Sequence, residues 1–438
     1  MTDAGGVPVT GGQLIVAGNG MVGQRFVEAL REQDAGGRWQ VTVVGAEPRR
    51  AYRRTALSSY LDGADAASLD LVAPGCYEPG GARLRLGEAV TAVDRAARAV
   101  TTSRGARLEY DALVLATGSD PLVPPVPGSA LPGCFTYRTM DDLDAIRDWA
   151  GGTAGPGAGL VVGGGLLGLE AAWALHRLGL AAHVVELAPR LLPQQVDEGG
   201  GALLRQLIEG LGVTVHLGTS VAAVKPGGRR LRGRRAGPLA VSLADGTRLD
   251  VRVVVFAAGV RPCDQLARDC GLAVGEHGGI VVDDGGTTAD PAVHAIGDCA
   301  CQGGRVHSLV APGNAQARTL AARLAGSGAA AIPVPDTSTT LNLPGVGVAS
   351  FGDPLGTADG ALAVTLDNPV GGSYARLIVS ADARTLLGGV LVGNTAAYPL
   401  LRPLVGRPLP GDPVTMLVAP GAAPAADPAP RAAAPATR

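Results

Sequence analysis

Residues 13–30 read QLIVAGNGMVGQRFVEAL, the pattern of a buried strand, a glycine-rich turn and a helix in direct succession. Residues 159–175, GLVVGGGLLGLEAAWAL, repeat this layout later in the chain. The glycines of the two GxGxxG turns are Gly18, Gly20 and Gly23 in the first copy and Gly163, Gly165 and Gly168 in the second. The repeat predicts two dinucleotide-binding units in one chain.

Each glycine of such a turn has its own physical task. The first permits a tight turn, the second lets the backbone approach a pyrophosphate, and the third lets the helix pack closely on the strand. The amino end of the helix then faces the anion. Because glycine supplies 66 of the 438 residues, chance matches to GxGxxG are expected, so the strand–turn–helix context gives both copies their weight.

An acidic residue ends the second strand of each unit, Glu47 in the first and Glu186 in the second. A carboxylate at this point accepts hydrogen bonds from the ribose hydroxyls of an adenosine. At Glu186 it would also repel the 2′-phosphate of NADPH, so we expect NADH to be preferred. Arg190, four residues further on, leaves room for NADPH.

Charge and composition exclude several classes of function. The 37 Lys and Arg residues nearly balance 39 Asp and Glu residues, which excludes recruitment to nucleic acid or anionic membrane by bulk charge. No secretory signal and no apolar run of transmembrane length is visible. The six cysteines have neither the spacing of a disulfide framework nor a CxxC motif, and the six histidines lack ligand spacing. We therefore expect a cytoplasmic protein with reduced thiols, no metal site, and no nucleic-acid or membrane partner.

The order of patterns along the chain predicts α/β architecture. Apolar runs alternate with helical stretches, as in parallel sheets covered by helices. The ends, 1–11 and 419–438, are rich in Ala, Pro and Gly and are expected to be disordered. The Pro-rich segment 121–133 predicts a crossing between domains, and the alternating pattern from about 331 predicts a third domain of antiparallel strands.

Three further strands end in small-residue turns or in an acid, at residues 110–119, 254–262 and 288–298. With these, residues 12–325 resemble the pyridine nucleotide-disulfide oxidoreductases and ferredoxin reductases, which are flavoproteins with two Rossmann-like domains. The resemblance implies an FAD-binding domain over 12–120 and 251–330, interrupted by an NADH-binding domain over 121–250. A smaller α+β interface domain over 331–415 would follow.

The same resemblance implies the residues of both sites. The first glycine turn would hold FAD, and Asp298 would contact the ribityl chain of the flavin. A helix expected to begin at Pro312 would point its amino end at the flavin ring. The second turn would hold NADH, with Glu170 near the nicotinamide. The implied FAD contacts are Gly18, Gly20, Gly23, Glu47, Arg54, Ser58, Thr117, Gly118, Asp298 and Ala311. The implied NADH contacts are Gly163, Gly165, Gly168, Glu170, Glu186 and Gly259.

The early loop around Ser59 indicates the branch of the superfamily. Branches that use a thiol need a CxxxxC or CxxC pair, or a cysteine where this chain has Ser59, so thiol-based peroxide or disulfide chemistry is excluded there. In ferredoxin reductases a lysine usually occupies the position of Ser59 and pairs with the glutamate of the second glycine motif, which is Glu170 in this chain. Because this chain has Ser59 instead, Glu170 lacks that partner. We interpret Cys299 and Cys301 as packing residues, since a CxC spacing strains a disulfide.

The segments 51–63, 307–324 and 338–353 are similar to the flavoprotein region of the assimilatory NAD(P)H nitrite reductase large subunit and to the electron-transfer subunit of assimilatory nitrate reductase. This implies an FAD-dependent NADH oxidoreductase. Because no Cys-rich iron–sulfur or sirohaem segment is seen, we expect its electrons to pass to a separate iron–sulfur, molybdenum or sirohaem reductase. The alternatives are a ferredoxin or rubredoxin reductase for a monooxygenase, and a redox-sensing flavoprotein in which FAD is structural.

Overall fold

The computed structural model describes residues 11–34, 36–61, 63–78, 81–151, 157–227, 239–327 and 336–418. The two ends expected to be disordered, 1–11 and 419–438, lie outside these residues apart from Gly11. Contacts divide the chain into two units. The first unit combines Met1–Leu187 with Thr219–Thr337, and the second combines Ala188–Gly218 with Ser338–Arg438.

The strands and helices have the following bounds. The strands are β1 Gly12–Ala17, β2 Trp39–Gly45, β3 Arg83–Leu86, β4 Val90–Asp94, β5 Ala99–Thr102, β6 Arg107–Glu109, β7 Ala112–Leu115, β8 Ser119–Pro121, β9 Cys134–Thr136, β10 Gly157–Val162, β11 Leu180–Glu186, β12 Thr214–Leu217, β13 Val221–Pro226, β14 Leu239–Leu243, β15 Arg248–Val251, β16 Val253–Phe256, β17 Val260–Pro262, β18 Ile280–Val282, β19 Val293–Ala295, β20 Ala300–Gln302, β21 Thr339–Leu343, β22 Val346–Gly352, β23 Leu362–Asn368, β24 Ser373–Val379 and β25 Leu386–Val392. The α-helices are α1 Met21–Gln33, α2 Leu57–Leu61, α3 Met140–Gly151, α4 Leu166–Arg177, α5 Glu198–Gly210, α6 Gln265–Asp269, α7 Val310–Ala325, α8 Tyr398–Leu401 and α9 Pro413–Val418. Short 3-10 turns cover Arg54–Ala56, Ala66–Leu69, Gly297–Cys299 and Arg402–Leu404.

The first sheet of the first unit is parallel, with the strand order β19-β7-β1-β2-β3. Leu14, Val16 and residues 113–115 in its central strands are fully buried. Continuous apolar runs of this kind are typical of strands covered on both faces. Phe26 of α1 and Leu320 of α7 belong to the hydrophobic core on one of these faces. The strand order changes direction between β1 and β7, which is where a doubly wound sheet binds its ligand.

The second sheet of this unit contains parallel neighbours in the order β11-β10-β16-β9. The sequence analysis assigns residues from 251 onward to the first domain, but β16 lies in the second sheet, where its Val254 pairs with Leu160. The boundary therefore lies after β16. An apolar run between two sheets carries no local signal for the sheet it joins, and only its register with a neighbour assigns it.

The chain passes between the two sheets through a pair of adjacent strands. β8 leads toward the second sheet and β17 leads back, and the two pair antiparallel, with Asp120 opposite Arg261. Two antiparallel meanders and the parallel pair of β18 and β20 also belong to the first unit. One meander consists of β4, β5 and β6, and the other of β13, β14 and β15.

The second unit contains an antiparallel sheet with the strand order β21-β22-β25-β24-β23. Helix α5 packs on this sheet, and a Cβ atom at Gly199 would lie 2.6 Å from Cε2 of Tyr374, so glycine permits the close approach. Residues 188–218, assigned from the sequence to the NADH-binding domain, therefore group with the C-terminal unit. The glycine run 199–201 thus includes positions, Gly199 and Gly200, at which α5 lies against the Tyr374 ring.

The predicted fold class is confirmed: two Rossmann-like domains are followed by a smaller α+β region. Within the residues that the structure describes, no helix is long and apolar enough to span a membrane.

Candidate functional site

The first glycine turn connects β1 to α1 and is shaped by two close backbone contacts. Gly18 has a φ of +123°, and a Cβ atom there would lie 2.1 Å from the carbonyl oxygen of Ala116. A Cβ atom at Gly23 would lie 2.4 Å from the carbonyl oxygen of Gly18. Gly20, by contrast, has no protein atom within 4 Å of its Cβ position. Packing thus requires the first and third glycines, whereas the second faces open space.

The second glycine turn, between β10 and α4, repeats this division. A Cβ atom at Gly163 would lie 2.4 Å from the carbonyl oxygen of Ala257, and one at Gly168 would lie 1.9 Å from that of Gly163. Gly165 again faces open space and caps the amino end of α4. Both turns therefore leave a side-chain-free approach to a helix amino end, and this geometry fits the pyrophosphate of a dinucleotide.

Glu47, the acidic residue that follows β2, accepts hydrogen bonds from two side chains. The Tyr52 hydroxyl donates to its Oε2 at 2.7 Å, and Nη2 of Arg54 donates to its Oε1. Burial raises the pKa of Tyr52, so the phenol stays protonated and remains a donor. A carboxylate has about four lone-pair sites, so Glu47 retains acceptor capacity for a ribose.

Glu186, the last residue of β11, accepts a hydrogen bond from the backbone of the second glycine turn. The amide of Gly164 donates to its Oε2 at 2.7 Å. Arg190, considered above as a ligand for a 2′-phosphate, donates from Nε to the carbonyl of Val196 at 2.9 Å and from Nη2 to that of Pro193 at 3.0 Å. Its guanidinium is therefore engaged by the chain that follows it.

Asp298 lies in the 3-10 turn after β19 and forms a polar group with two residues of other segments. Its Oδ2 accepts from the Ser119 hydroxyl at 2.7 Å and from Nη2 of Arg138 at 3.3 Å. Arg138 also donates to Ser119 at 2.7 Å. Ser119 ends the segment 110–119 named above, but no contact was predicted for it, and Arg138 carries no motif in the sequence.

The remaining predicted contacts lie at the carboxyl ends of strands or on nearby helices. Thr117 donates to the carbonyl of Cys263 at 2.7 Å, beside Gly118 at the end of β7. Gly259, with a φ of +117°, follows β16, while Ser58 lies half-buried on α2. Ala311 lies in the first turn of α7. That helix begins at Val310, two residues before the expected start at Pro312, because proline fits any first-turn position that has no intrahelical N–H bond.

Glu170 lies on α4 and is largely buried. Among the described residues, no charged or hydrogen-bonding partner contributes to the pKa shift of its carboxyl group. Burial raises its pKa to about 7. Ser59, where ferredoxin reductases carry a lysine, is exposed. Glu170 is therefore a carboxyl group that is partly protonated at neutral pH.

The cysteines of this unit are not arranged for redox chemistry. All six are free, and Cys299 and Cys301 are buried. The Cys299 thiol lies 3.3 Å from the carbonyl oxygens of Leu115 and Ile296, and burial raises its pKa, which disfavours the reactive thiolate. Among the described residues, no three His, Cys, Asp or Glu side chains form a group that could hold a metal ion.

Comparison with known proteins agrees with this geometry. The family model for pyridine nucleotide-disulphide oxidoreductases matches residues 12–319. The chain is 44% identical to the nitrite reductase [NAD(P)H] large subunit of Klebsiella oxytoca over 407 residues, covering 92% of this chain and 41% of that protein. It is 32% identical to the assimilatory nitrate reductase electron transfer subunit of Bacillus subtilis, covering 87% of this chain and 48% of that one. The chain thus spans less than half the length of these relatives.

Among solved structures, the ferredoxin reductase for the CYP199A2 system from Rhodopseudomonas palustris matches with a TM-score of 0.76 and 28% identity, over 88% of this chain and 92% of that one. The match therefore includes the two Rossmann-like domains and much of the C-terminal region. Because the family model covers more than half of the chain, the chain belongs to the pyridine nucleotide-disulphide oxidoreductase family and is an FAD-dependent NAD(P)H oxidoreductase.

Proposed function

We propose that this chain carries electrons from NADH, through FAD, to a separate redox protein, which is a nitrate or nitrite reductase. The observation that carries the proposal is the presence of two open glycine turns in one unit whose cysteines are buried or poorly suited to thiolate chemistry. Among the described residues, no cysteine pair is suited to accept electrons from the flavin. The electrons therefore pass to a redox centre of another protein.

The first turn is assigned to FAD and the second to NADH. When bound, FAD accepts a hydride and can release its electrons one at a time, which suits an iron–sulfur or metal acceptor. Gly20 leaves room for the pyrophosphate, Gly18 and Gly23 permit the close packing of the turn, and Glu47 accepts from the adenosine ribose. Asp298, fixed by Ser119 and Arg138, provides a carboxylate oriented for the ribityl hydroxyls.

The second turn binds and selects the reductant. Gly165 leaves the amino end of α4 open to a pyrophosphate, and the Glu186 carboxylate accepts from a ribose and repels a 2′-phosphate. Hydride transfer needs alignment of donor and acceptor more than acid–base groups. Rigid placement of both turns on parallel strands of one unit provides such alignment.

The names of the relatives support the choice of acceptor. Both the nitrite reductase large subunit and the nitrate reductase electron transfer subunit align over most of this chain. The second candidate is a ferredoxin reductase, which the match to a solved enzyme of that kind favours. Both candidates share the flavin chemistry and differ only in the protein that receives the electrons.

The test measures NADH oxidation by the purified chain with different acceptors. We expect rapid reduction of ferricyanide and none of nitrite or nitrate until the corresponding reductase is added. A ferredoxin and a rubredoxin, tested in parallel, distinguish the second candidate. Treatment with iodoacetamide is the control for thiol chemistry and should leave the rate unchanged. Catalytic reduction of nitrite by the isolated, metal-free chain would contradict the proposal.

A further inference from the structure

The phenol of Tyr52 lies between Glu47, the acidic residue that follows β2, and Met140 at the start of α3. Tyr52 is only 5% exposed. Its hydroxyl donates to Oε2 of Glu47 at 2.7 Å and accepts from Nη1 of Arg54 at 2.8 Å. The backbone amide of Met140, at the start of α3, also donates to it at 3.3 Å. One hydroxyl therefore joins Glu47 and Arg54, which are close to it in the sequence, to the start of α3, 88 residues further along the chain.

Arg54 completes this group. Its Nη2 donates to Oε1 of Glu47, its Nη1 donates to the carbonyl of Arg138 at 2.9 Å, and its guanidinium carbon lies 4.9 Å from the centre of the Tyr52 ring. Each carboxylate oxygen of Glu47 thus has one donor. With both oxygens held, the plane of the carboxylate is fixed, and its other lone pairs keep one direction.

Glu47 remains accessible despite these bonds, since its side chain is 27% exposed. An accessible carboxylate held in one orientation at the end of β2 is suited to accept from two neighbouring hydroxyls of a ribose. The Tyr52 hydroxyl cannot make that contact itself, because its oxygen already accepts from Nη1 of Arg54 and from the amide of Met140, which use both of its lone pairs. Its effect on a ligand would pass through Glu47.

We propose that Tyr52 is a positioning residue for the adenosine half of FAD and acts by orienting the Glu47 carboxylate. The inference rests on the proposed assignment of FAD to the first turn. It predicts that loss of the hydroxyl weakens contacts to the adenosine and leaves contacts to the flavin half intact. It also predicts that this loss has no effect once Glu47 is absent.

The experiment dilutes the FAD-loaded protein and follows free-flavin fluorescence, with ADP and FMN as separate displacing ligands. Tyr52→Phe should weaken binding of FAD and of ADP by about tenfold each, the usual effect of losing a hydrogen bond to a charged group. Binding of FMN should change by less than about twofold. Equal weakening of ADP and FMN, or no weakening of either, would overturn the proposal.

Tyr110→Phe is the matched control. Tyr110 is also buried in the first unit, and its hydroxyl has no hydrogen-bond partner among the described residues. This variant should bind FAD, ADP and FMN as the wild type does, and circular dichroism should show both variants folded. An equal loss of ADP affinity in Tyr110→Phe would show a general packing effect and contradict a specific role for Tyr52.

A double-mutant comparison tests the route through Glu47. In a Glu47→Ala background, adding Tyr52→Phe should leave ADP affinity unchanged. A further tenfold loss there would overturn the positioning role, and this readout remains available if the single variant folds poorly. Failure of the proposed function would look different, since the wild-type protein itself would then release FMN or no flavin.

Discussion

The two glycine turns are alike in their own geometry and differ in how their acids are held. In both, the first and third glycines are required by backbone packing and the second faces open space. Glu47 is fixed by Tyr52 and Arg54, which in turn bond the backbone at the start of the second domain. Glu186, at the end of β11, accepts from the amide of Gly164 in the second glycine turn.

This difference corresponds to the two uses proposed for the turns. Glu47 is held by Tyr52 and Arg54, whose own bonds to residues 138 and 140 must also be in place, and such an assembly would suit a cofactor that stays bound. Glu186 accepts from an amide of the glycine turn that we propose to bind NADH. We therefore expect the neighbours of each acidic residue, rather than the glycine motif itself, to distinguish the two sites.

The largest effect is expected from the third glycine of a turn. Gly168→Ala would place a methyl group 1.9 Å from the carbonyl oxygen of Gly163, so backbone must move. We expect a loss of several kcal/mol in stability, by analogy with other overpacked sites and strained backbones, and no NADH-dependent activity. Thermal unfolding and NADH–ferricyanide assays measure both.

Gly165→Ala is the matched control, because its methyl group meets no protein atom within 4 Å. This variant should keep wild-type thermal stability and show a raised KM for NADH, since the methyl group occupies the approach of the pyrophosphate. Similar stability of the Gly168→Ala and Gly165→Ala proteins would mean that the packing difference between the two glycines has no consequence.

An intermediate effect is expected at Glu186. Glu186→Gln keeps the shape of the side chain and removes its charge, so repulsion of a 2′-phosphate should fall. The ratio of kcat/KM for NADH to that for NADPH should decrease roughly tenfold, which corresponds to about 1.4 kcal/mol. Steady-state kinetics with both nucleotides give the ratio. A wild-type enzyme that already prefers NADPH would contradict the role given to Glu186.

The smallest effect concerns the residue two positions after the third glycine, where the turns also differ. The first turn has Arg25, which forms an ion pair with Glu28 at 3.4 Å, and the second has Glu170, whose pKa burial raises to about 7 from 4.5. Between these two pH values the folded state holds a proton that the unfolded state has released. The contribution of Glu170 to the free energy of unfolding therefore falls as pH rises from 4.5 to about 7 and is constant above that pH.

Glu170→Gln should remove this dependence. At pH 8 the variant should be more stable than the wild type, by about 1 kcal/mol, and at pH 4 the two should be nearly equal. Denaturant unfolding of both proteins at the two pH values gives the comparison. An equal difference at both pH values would show that the effect comes from packing rather than from protonation.

The sequence is a good guide to the parts of the fold that local patterns encode. Both glycine turns, the parallel sheets and the antiparallel C-terminal strands follow from periodicity and motif spacing. The placement of β16 does not, because a buried apolar strand fits either sheet equally well. The approach of helix α5 to Tyr374 does not follow either, because it depends on a contact between segments far apart in the chain.

The same limit applies to the candidate site. Glu47 and Glu186 could be identified because they end strands at a known distance from a motif. Tyr52 and Arg138 could not, since each is defined by the group it reaches across the fold. A single tyrosine or arginine in a loop can make many other contacts. Only the folded structure shows that Arg138 contacts Asp298 and that Tyr52 contacts Glu47.

The pairing of β8 with β17 gives the second Rossmann-like domain adjacent points of entry and exit. Paired strands lie about 4.8 Å apart, so the two ends of this inserted domain almost meet. A replacement domain with similarly close termini could be joined at these points without moving the strands of the first sheet. The preference for NADH or NADPH could thus be changed by exchanging this inserted domain as a unit, by recombination in evolution or by design in the laboratory. The domain that contains the first sheet would remain unchanged.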